Sequence, residues 1–361
     1  MKELVVDVPS KSSGYHISIG ADLLTRLGEL IQLDSFSQLI VLTDSTVATL
    51  HLSRLLEFLP GEPAVIEIAA GEGHKNSQSL AYVWKQLHQF AADRNTLLLN
   101  LGGGVIADLG GLAASTYMRG ISFVQLPTTL LAQVDASVGG KTAIDFAGVK
   151  NLVGSFAVPH AVVADVSALK TLPARELRAG MAEAVKHGII ADPEYLSFVA
   201  SFDCLGAELS DWMLLVERSC QIKARIVAAD PYDTAVRKSL NFGHTLGHAI
   251  EAVLLETASP LLHGEAVSIG IVGALWLSVH TCDLPAGFLS RIEGVLTELR
   301  LPIRLKCSKE NRLSVLERLT RDKKSVAGEM RWVLLAEPAC VVHDQLVSDS
   351  LVENAVDYLV S

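Results

Sequence analysis

The sequence predicts an α/β protein in two parts, and three observations carry that prediction. Apolar runs of strand length recur at QLIVLT, AVIEIA, TLLLNL, ISFVQL and AVVAD, separated by stretches with helical spacing such as Ser77 to Ala92. Continuous apolar strands that alternate with helices belong to a parallel sheet covered by helices. After Thr171-Leu172-Pro173 the texture changes, and from Ala174 to about Leu299 nearly every segment reads as helix. At 361 residues, half of them hydrophobic and 19% charged, the chain has enough apolar surface for two cores.

MKELVVDVPSKSSGYHISIG alternates apolar and polar residues like a strand pair and lacks the apolar stretch and cleavage site of a signal peptide. The strand candidates and their helices build a first domain, residues 1–172. The second domain, 173–361, holds the helix candidates ARELRAGMAEAVKHGII, DWMLLVERSCQIKARIVAA, LNFGHTLGHAIEAVLL, HGEAVSIGIVGALWLSV and GFLSRIEGVLTELR, then a short strand, RWVLLA, and a final helix, SDSLVENAVDYLV. Ligands are expected in a cleft between the domains. The longest apolar segment, Ala266 to Val279, is too short to span a bilayer and reads as core helix. A formal charge of −10 argues against a general nucleic-acid or anionic-membrane surface, while leaving room for a local basic pocket. Five scattered cysteines with no C-x-x-C pair indicate neither a disulfide framework nor a thiolate zinc site, and point to a reducing, cytoplasmic compartment.

LLLNLGGGVIADLGG reads as a strand running through a glycine turn into a helix, where backbone amides can receive a pyrophosphate. Gly102, Gly104 and Ala107 fit G-x-G-x-x-A, a weak pattern that gains from its strand-turn-helix setting. The acid expected about 20 residues on is missing, because the next strand offers Gln125. Asp44 ends an earlier strand, and Glu72 and Lys75 follow another, so a dinucleotide could lie here with different partners. The alternative is that the glycines only permit tight turns. ASVGGKT resembles the end of a phosphate loop, but Asp135 stands where a Walker A motif needs glycine. Lys141 can still bind a phosphate as a point charge.

Three further segments carry donors suited to a metal: Glu183 in GMAEAVKHG, His244 in NFGHTLGH and His263 in LLHGEAV. One carboxylate and two imidazoles suit a divalent ion with an open coordination position. His244 and His248 share a helix face, yet no glutamate follows the first histidine, so this is not the metalloprotease H-E-x-x-H. For Glu183 the competing reading is an ion pair with Lys186, one helical turn away. Arg119, Lys141, Lys150, Lys186, Lys223, Arg237, Lys323 and Lys324 lie near these motifs. Each alone reads as a surface charge; together they suit a small, doubly anionic substrate.

GGGVIADLGGLAASTYMRG, QLPTTLLAQVDASVGGKTAID, KNLVG, MAEAVKHG, NFGHTLGHAIE and LHGEAV together resemble the 3-dehydroquinate synthase family of sugar phosphate cyclases. The resemblance implies an α/β, Rossmann-like NAD-binding domain followed by a helical metal- and substrate-binding domain. It implies cyclisation of 3-deoxy-D-arabino-heptulosonate 7-phosphate to 3-dehydroquinate with loss of phosphate, by transient NAD oxidation, β-elimination, re-reduction and aldol closure. Metal ligands then fall on Glu183, His244 and His263, for zinc or cobalt. Substrate contacts fall on Asp135, Lys141, Asn151, Lys186, Lys223, Arg237, Asn241, His248 and one of Lys323 and Lys324. Arg119 reaches a neighbouring subunit's site, implying a homodimer. NAD contacts fall on Asp44, Glu72, Lys75, Gly104, Val105, Asp108, Thr128, Thr129, Lys150 and Thr171, with Lys141 beside the cofactor. The alternatives are an aminodehydroquinate synthase, another sugar phosphate cyclase, or a metal- and NAD-dependent polyol dehydrogenase, which has no need of the basic set.

Overall fold

The computed structural model describes residues 1–6, 14–255, 257, 260–306, 308–325 and 330–360, with backbone alone at 5, 6 and 321–325. The chain divides into two compact units, one of residues 1–173 and 207–231, the other of 174–206 and 232–361.

The first unit is built on a seven-stranded sheet. Its strands are β1 (Lys2–Val6), β2 (Tyr15–Gly20), β3 (Gln38–Asp44), β4 (Ala64–Ile68), β5 (Thr96–Gly102), β6 (Ser122–Pro127) and β9 (Ala161–Asp165), in the order β1-β2-β9-β6-β5-β3-β4. All neighbours pair in parallel except β1, which runs antiparallel to β2. A separate antiparallel hairpin, β7 (Lys141–Phe146) with β8 (Val149–Phe156), interrupts the alternation.

The apolar runs are explained by burial on both faces. On β3, Ile40 and Leu42 join Leu80, Val83 and Leu87 of the Ser77–Gln89 helix and Ile106 and Leu109 of the Gly104–Thr116 helix. Leu39 and Val41 face the other way, toward Leu23, Leu27 and Leu55. Each such side chain contributes about 1.5–3 kcal/mol when fully buried. From β3 the chain crosses to β4 on one side and then to β5 on the other. The carboxyl ends of β3 and β5, at Asp44 and Gly102, therefore flank a switch point, where open parallel sheets bind ligands.

One boundary differs from the sequence reading, which placed all of 173–361 in the helical half. The Leu209–Ala229 helix packs in the first unit, against β1, β2 and the Ala132–Ala136 turn. Its stripe of Trp212, Leu215, Val216, Cys220 and Val227 is buried there.

The second unit is mostly helical: Ala174–Ala191, Pro193–Ala200, His244–Leu254, His263–Thr281, Ala286–Glu298, Lys309–Ser325 and Asp349–Leu359, with the antiparallel pair β10 (Trp332–Glu337) and β11 (Cys340–Gln345). Three of these helices meet through glycines. A Cβ on Gly264 would stand 1.9 Å from the Ala179 carbonyl oxygen, and one on Gly270 2.1 Å from that of Gly243. Only hydrogen at these positions allows the backbones so close. His263–Thr281 is long and apolar enough to cross a membrane, but its apolar side chains form the core of this unit.

Candidate active site

In the first unit, β5 ends at Gly102 and the next helix begins at Gly104. A Cβ on Gly102 would meet Ile106 at 2.5 Å, so the turn admits only glycine there. Gly103 at the N-cap has no side chain to cap the helix, which suits its first-turn amides to an anion. Gly104 and Val105 open that helix, and Asp108 follows one turn on. Thr128 and Thr129 follow β6 beside this turn: the Thr128 amide donates to Gly102 O at 3.0 Å, and its buried hydroxyl has no hydrogen-bond partner among the described residues. Asp44 accepts the Thr46 and Val47 amides on one carboxylate oxygen, each at 3.0 Å.

Four of the remaining cofactor and substrate candidates form one network with Asp108. Lys75 Nζ lies 2.5 Å from Asp108 Oδ2 and donates to Asn151 Oδ1 at 2.5 Å, while Lys150 Nζ lies 2.9 Å from Glu72 Oε1. Burial works against the Lys75 ammonium, but the Asp108 and Glu72 carboxylates outweigh it and hold its pKa above the ordinary lysine value. Asp135 pairs with Lys223 at 2.7 Å. Lys141 is exposed at the start of β7. Arg119 is set apart: it follows the far end of the Gly104–Thr116 helix, about 20 Å of helix from the glycine turn. It is exposed and left-handed, with φ +68° after Met118 at +50°.

In the second unit, His244 and His263 each open a helix. Gly243, at φ +79°, turns the chain into the first; the Glu265 carboxylate accepts the Leu262 amide at 2.8 Å and starts the second. Glu183 comes from the Ala174–Ala191 helix and is 1% exposed. Its Oε1 lies 3.5 Å from His244 Nε2 and 3.9 Å from His263 Nε2. The opposite nitrogens are engaged: His244 Nδ1 lies 3.2 Å from Phe242 O, and His263 Nδ1 lies 3.1 Å from Glu251 Oε2. In each ring it is therefore Nε2, not Nδ1, that lies toward the Glu183 carboxylate.

The separations are near those of adjacent ligands around zinc or cobalt with bonds of about 2 Å, and Glu183 Oε1 is buried with no hydrogen bond among the described residues. A divalent cation fits this donor set. Lys186 pairs with the other oxygen, Oε2, so the ion pair weighed as an alternative is present and leaves Oε1 on the side of the two histidines. His248, half-buried, has its ring centroid 5.2 Å from that of His244 and 5.6 Å from that of His263, close enough to be a further donor. Arg237, 1% exposed, and exposed Asn241 lie on the turn Val236–Asn241. The side chains of Lys323 and Lys324 lie outside the described residues.

Sequence reasoning missed Glu251, although an acid in the apolar run HAIEAVL was a signal for it. Gln125 is also explained: it is buried and donates to Ala107 O at 2.9 Å, bracing the helix after the glycine turn.

A switch-point glycine turn and a carboxylate–imidazole centre suit a protein that binds a nucleotide and a divalent metal, and solved sugar phosphate cyclases share the fold. A 2-deoxy-scyllo-inosose synthase complexed with carbaglucose-6-phosphate, NAD+ and Co2+ overlays with a TM-score of 0.89, covering 99% of this chain and 100% of that one at 23% identity, which shows the fold alone. The 2-epi-5-epi-valiolone synthase from Streptomyces hygroscopicus subsp. jinggangensis, with NAD+ and Zn2+ bound, gives 0.86 at 27% identity over 99% of both chains. The N-terminal 3-dehydroquinate synthase profile matches residues 65–179, and the C-terminal profile matches 180–325. A 3-dehydroquinate synthase from Symbiobacterium thermophilum is 40% identical over 96% of this chain and 98% of its own. The chain belongs to the 3-dehydroquinate synthase family.

Proposed function

We propose that the chain converts 3-deoxy-D-arabino-heptulosonate 7-phosphate into 3-dehydroquinate and phosphate, using NAD and one divalent metal, zinc or cobalt. The observation that carries this reading is the donor set formed by buried Glu183 Oε1 and the Nε2 atoms of half-buried His244 and His263, in a chain of this family. When bound, NAD supplies reversible oxidation at C5, which acidifies the C6 proton for loss of phosphate, and the metal supplies a Lewis acid for the neighbouring oxygens.

Glu183, His244 and His263 hold the metal. Gly104 and Val105 present backbone amides to the NAD pyrophosphate, and Asp44 keeps one carboxylate oxygen for a ribose hydroxyl. Glu72, Lys75, Asp108, Thr128, Thr129, Lys150 and Thr171 complete the cofactor contacts. The substrate contacts are Asp135, Lys141, Asn151, Lys186, Lys223, Arg237, Asn241, His248 and one of Lys323 and Lys324. The lysines and arginine balance the substrate's phosphate and carboxylate. Arg119 serves the neighbouring subunit of a homodimer, and the enzyme works in the cytoplasm without nucleic-acid or membrane partners.

The test is phosphate release from the heptulosonate 7-phosphate, with catalytic NAD and added zinc or cobalt, while the NADH absorbance band is followed. Stoichiometric phosphate with no lasting NADH is expected. Accumulating NADH without phosphate would instead establish a dehydrogenase, and inactivity on this substrate would direct attention to its amino analogue.

A further inference from the structure

We propose that Glu251 is the positioning residue of the metal centre, acting through His263; the proposal rests on the ligand assignment above. Glu251 lies on the His244–Leu254 helix, seven residues after His244, and is 4% exposed. Its Oε2 is 3.1 Å from His263 Nδ1. A carboxylate there accepts the Nδ1 proton, which leaves the lone pair on Nε2, the atom that faces Glu183 Oε1. It also fixes the plane of the ring and makes the imidazole a stronger donor.

The two histidines are not equivalent. Nδ1 of His244 meets a backbone carbonyl, an oxygen without net charge, whereas that of His263 meets a carboxylate. His263 is also the more exposed of the two, with 28% of its side chain accessible against 13% for His244. Its ring is therefore less confined by packing and depends more on Glu251 for its orientation. One helix consequently carries both a metal ligand and the group that orients a second ligand on the next helix.

The experiment measures Zn2+ affinity by competition with a chromophoric chelator, and the visible spectrum of the Co2+-loaded protein. It compares wild type, His263→Ala, Glu251→Ala and Glu251→Gln, with circular dichroism as the control for folding. Glu251→Ala is expected to weaken Zn2+ binding roughly 10- to 100-fold. Glu251→Gln keeps an acceptor for Nδ1 without the charge, so it should retain most of that affinity while shifting the Co2+ bands. If Glu251→Ala does not fold, the Gln variant decides: an unchanged Co2+ spectrum with wild-type affinity overturns the proposal. Folded Glu251→Ala with wild-type Zn2+ affinity overturns it too, provided His263→Ala has lost the metal. Failure of wild type itself to bind Zn2+ would remove the ligand assignment instead.

Discussion

Lys223 grips Asp135 at two points: its Nζ lies 2.7 Å from Oδ1 and donates at 2.7 Å to the Asp135 carbonyl oxygen. The Ala132–Ala136 turn is thereby tied to the Leu209–Ala229 helix, with the lysine side chain 8% and the aspartate 24% exposed. Breaking a fully buried pair by removing one partner costs about 3–5 kcal/mol, and the partial exposure of Asp135 reduces that to roughly 2 kcal/mol. Lys223→Met should therefore lower the urea midpoint, and should cut kcat/KM for the sugar phosphate by about 100-fold or more if both groups touch substrate. NAD affinity, followed by fluorescence titration, should stay at the wild-type value. Adding Asp135→Asn to the variant should cost less than the sum of the two single changes.

Gly270 tests how closely the helices that open at His244 and His263 must approach. A methyl group there would stand 2.1 Å from the Gly243 carbonyl oxygen and 2.7 Å from the Gly247 amide, both backbone atoms that cannot swing aside. Gly270→Ala should destabilise by about 2–3 kcal/mol and weaken metal binding, because Gly243 directly precedes His244. Gly287, in the Ala286–Glu298 helix, has nothing within 4 Å of its would-be Cβ. Gly287→Ala should be neutral or stabilise by up to about 1 kcal/mol. Thermal unfolding of the two variants, with zinc titrations alongside, separates packing at this crossing from glycine content in general.

The parallel sheet was legible because its strands are buried on both faces and so read as unbroken apolar runs. The β7–β8 hairpin was not: only Thr142 and Ile144 of β7 alternate inward, whereas Phe146, Val149, Leu152, Val153 and Phe156 are exposed and Ala147, Gly148 and Asn151 adopt positive φ. The Leu209–Ala229 helix was legible as a helix but not as part of the first unit, since periodicity reveals a buried stripe and not what covers it. Glu183, His244 and His263 stood out because acids and imidazoles are unusual in apolar, glycine-rich helices. Glu251 has the same context, but its significance depends on a distance to His263 that spacing along the chain does not contain.

His51 should make stability fall on the acid side of neutrality. It is 8% exposed, its Nε2 lies 2.9 Å from the Thr171 hydroxyl, and that hydroxyl donates to Ala168 O at 2.9 Å. With its own proton committed, the hydroxyl accepts from His51, which fits a neutral ring protonated at Nε2. Burial lowers the His51 pKa from its ordinary 6.5; Asp165 partly opposes this and Arg54 reinforces it. The unfolded chain thus takes up a proton before the folded one does. Stability from this residue is complete above pH 6.5 and declines as pH falls from there toward the lowered folded value. His160 and half-buried His343 are shifted the same way by partial desolvation. Urea midpoints measured at pH 7.5, 6.5 and 5.5 should fall less steeply for His51→Gln than for wild type, and equal slopes would show that His51 titrates alike in both states.

Asp145 should matter to both ligands through the residues it holds in place. Its Oδ1 accepts the Asn151 amide at 2.8 Å and holds that residue at φ +53°, a left-handed conformation that a non-glycine residue occupies at a cost of about 1–2 kcal/mol. So placed, Asn151 accepts from Lys75 Nζ, which in turn meets Asp108. Asp145→Ala removes the acceptor, and a hydrogen bond to a charged group is worth about 1.5–3 kcal/mol. Substrate KM should rise roughly tenfold or more through Asn151, and NAD should bind more weakly through Lys75. Asp145→Asn retains an oxygen for the same amide and should recover most of both losses. If the alanine variant raised KM without altering NAD affinity, Asn151 would depend on Asp145 and Lys75 would not. Wild-type values for both would mean that the hairpin sets this conformation without the carboxylate.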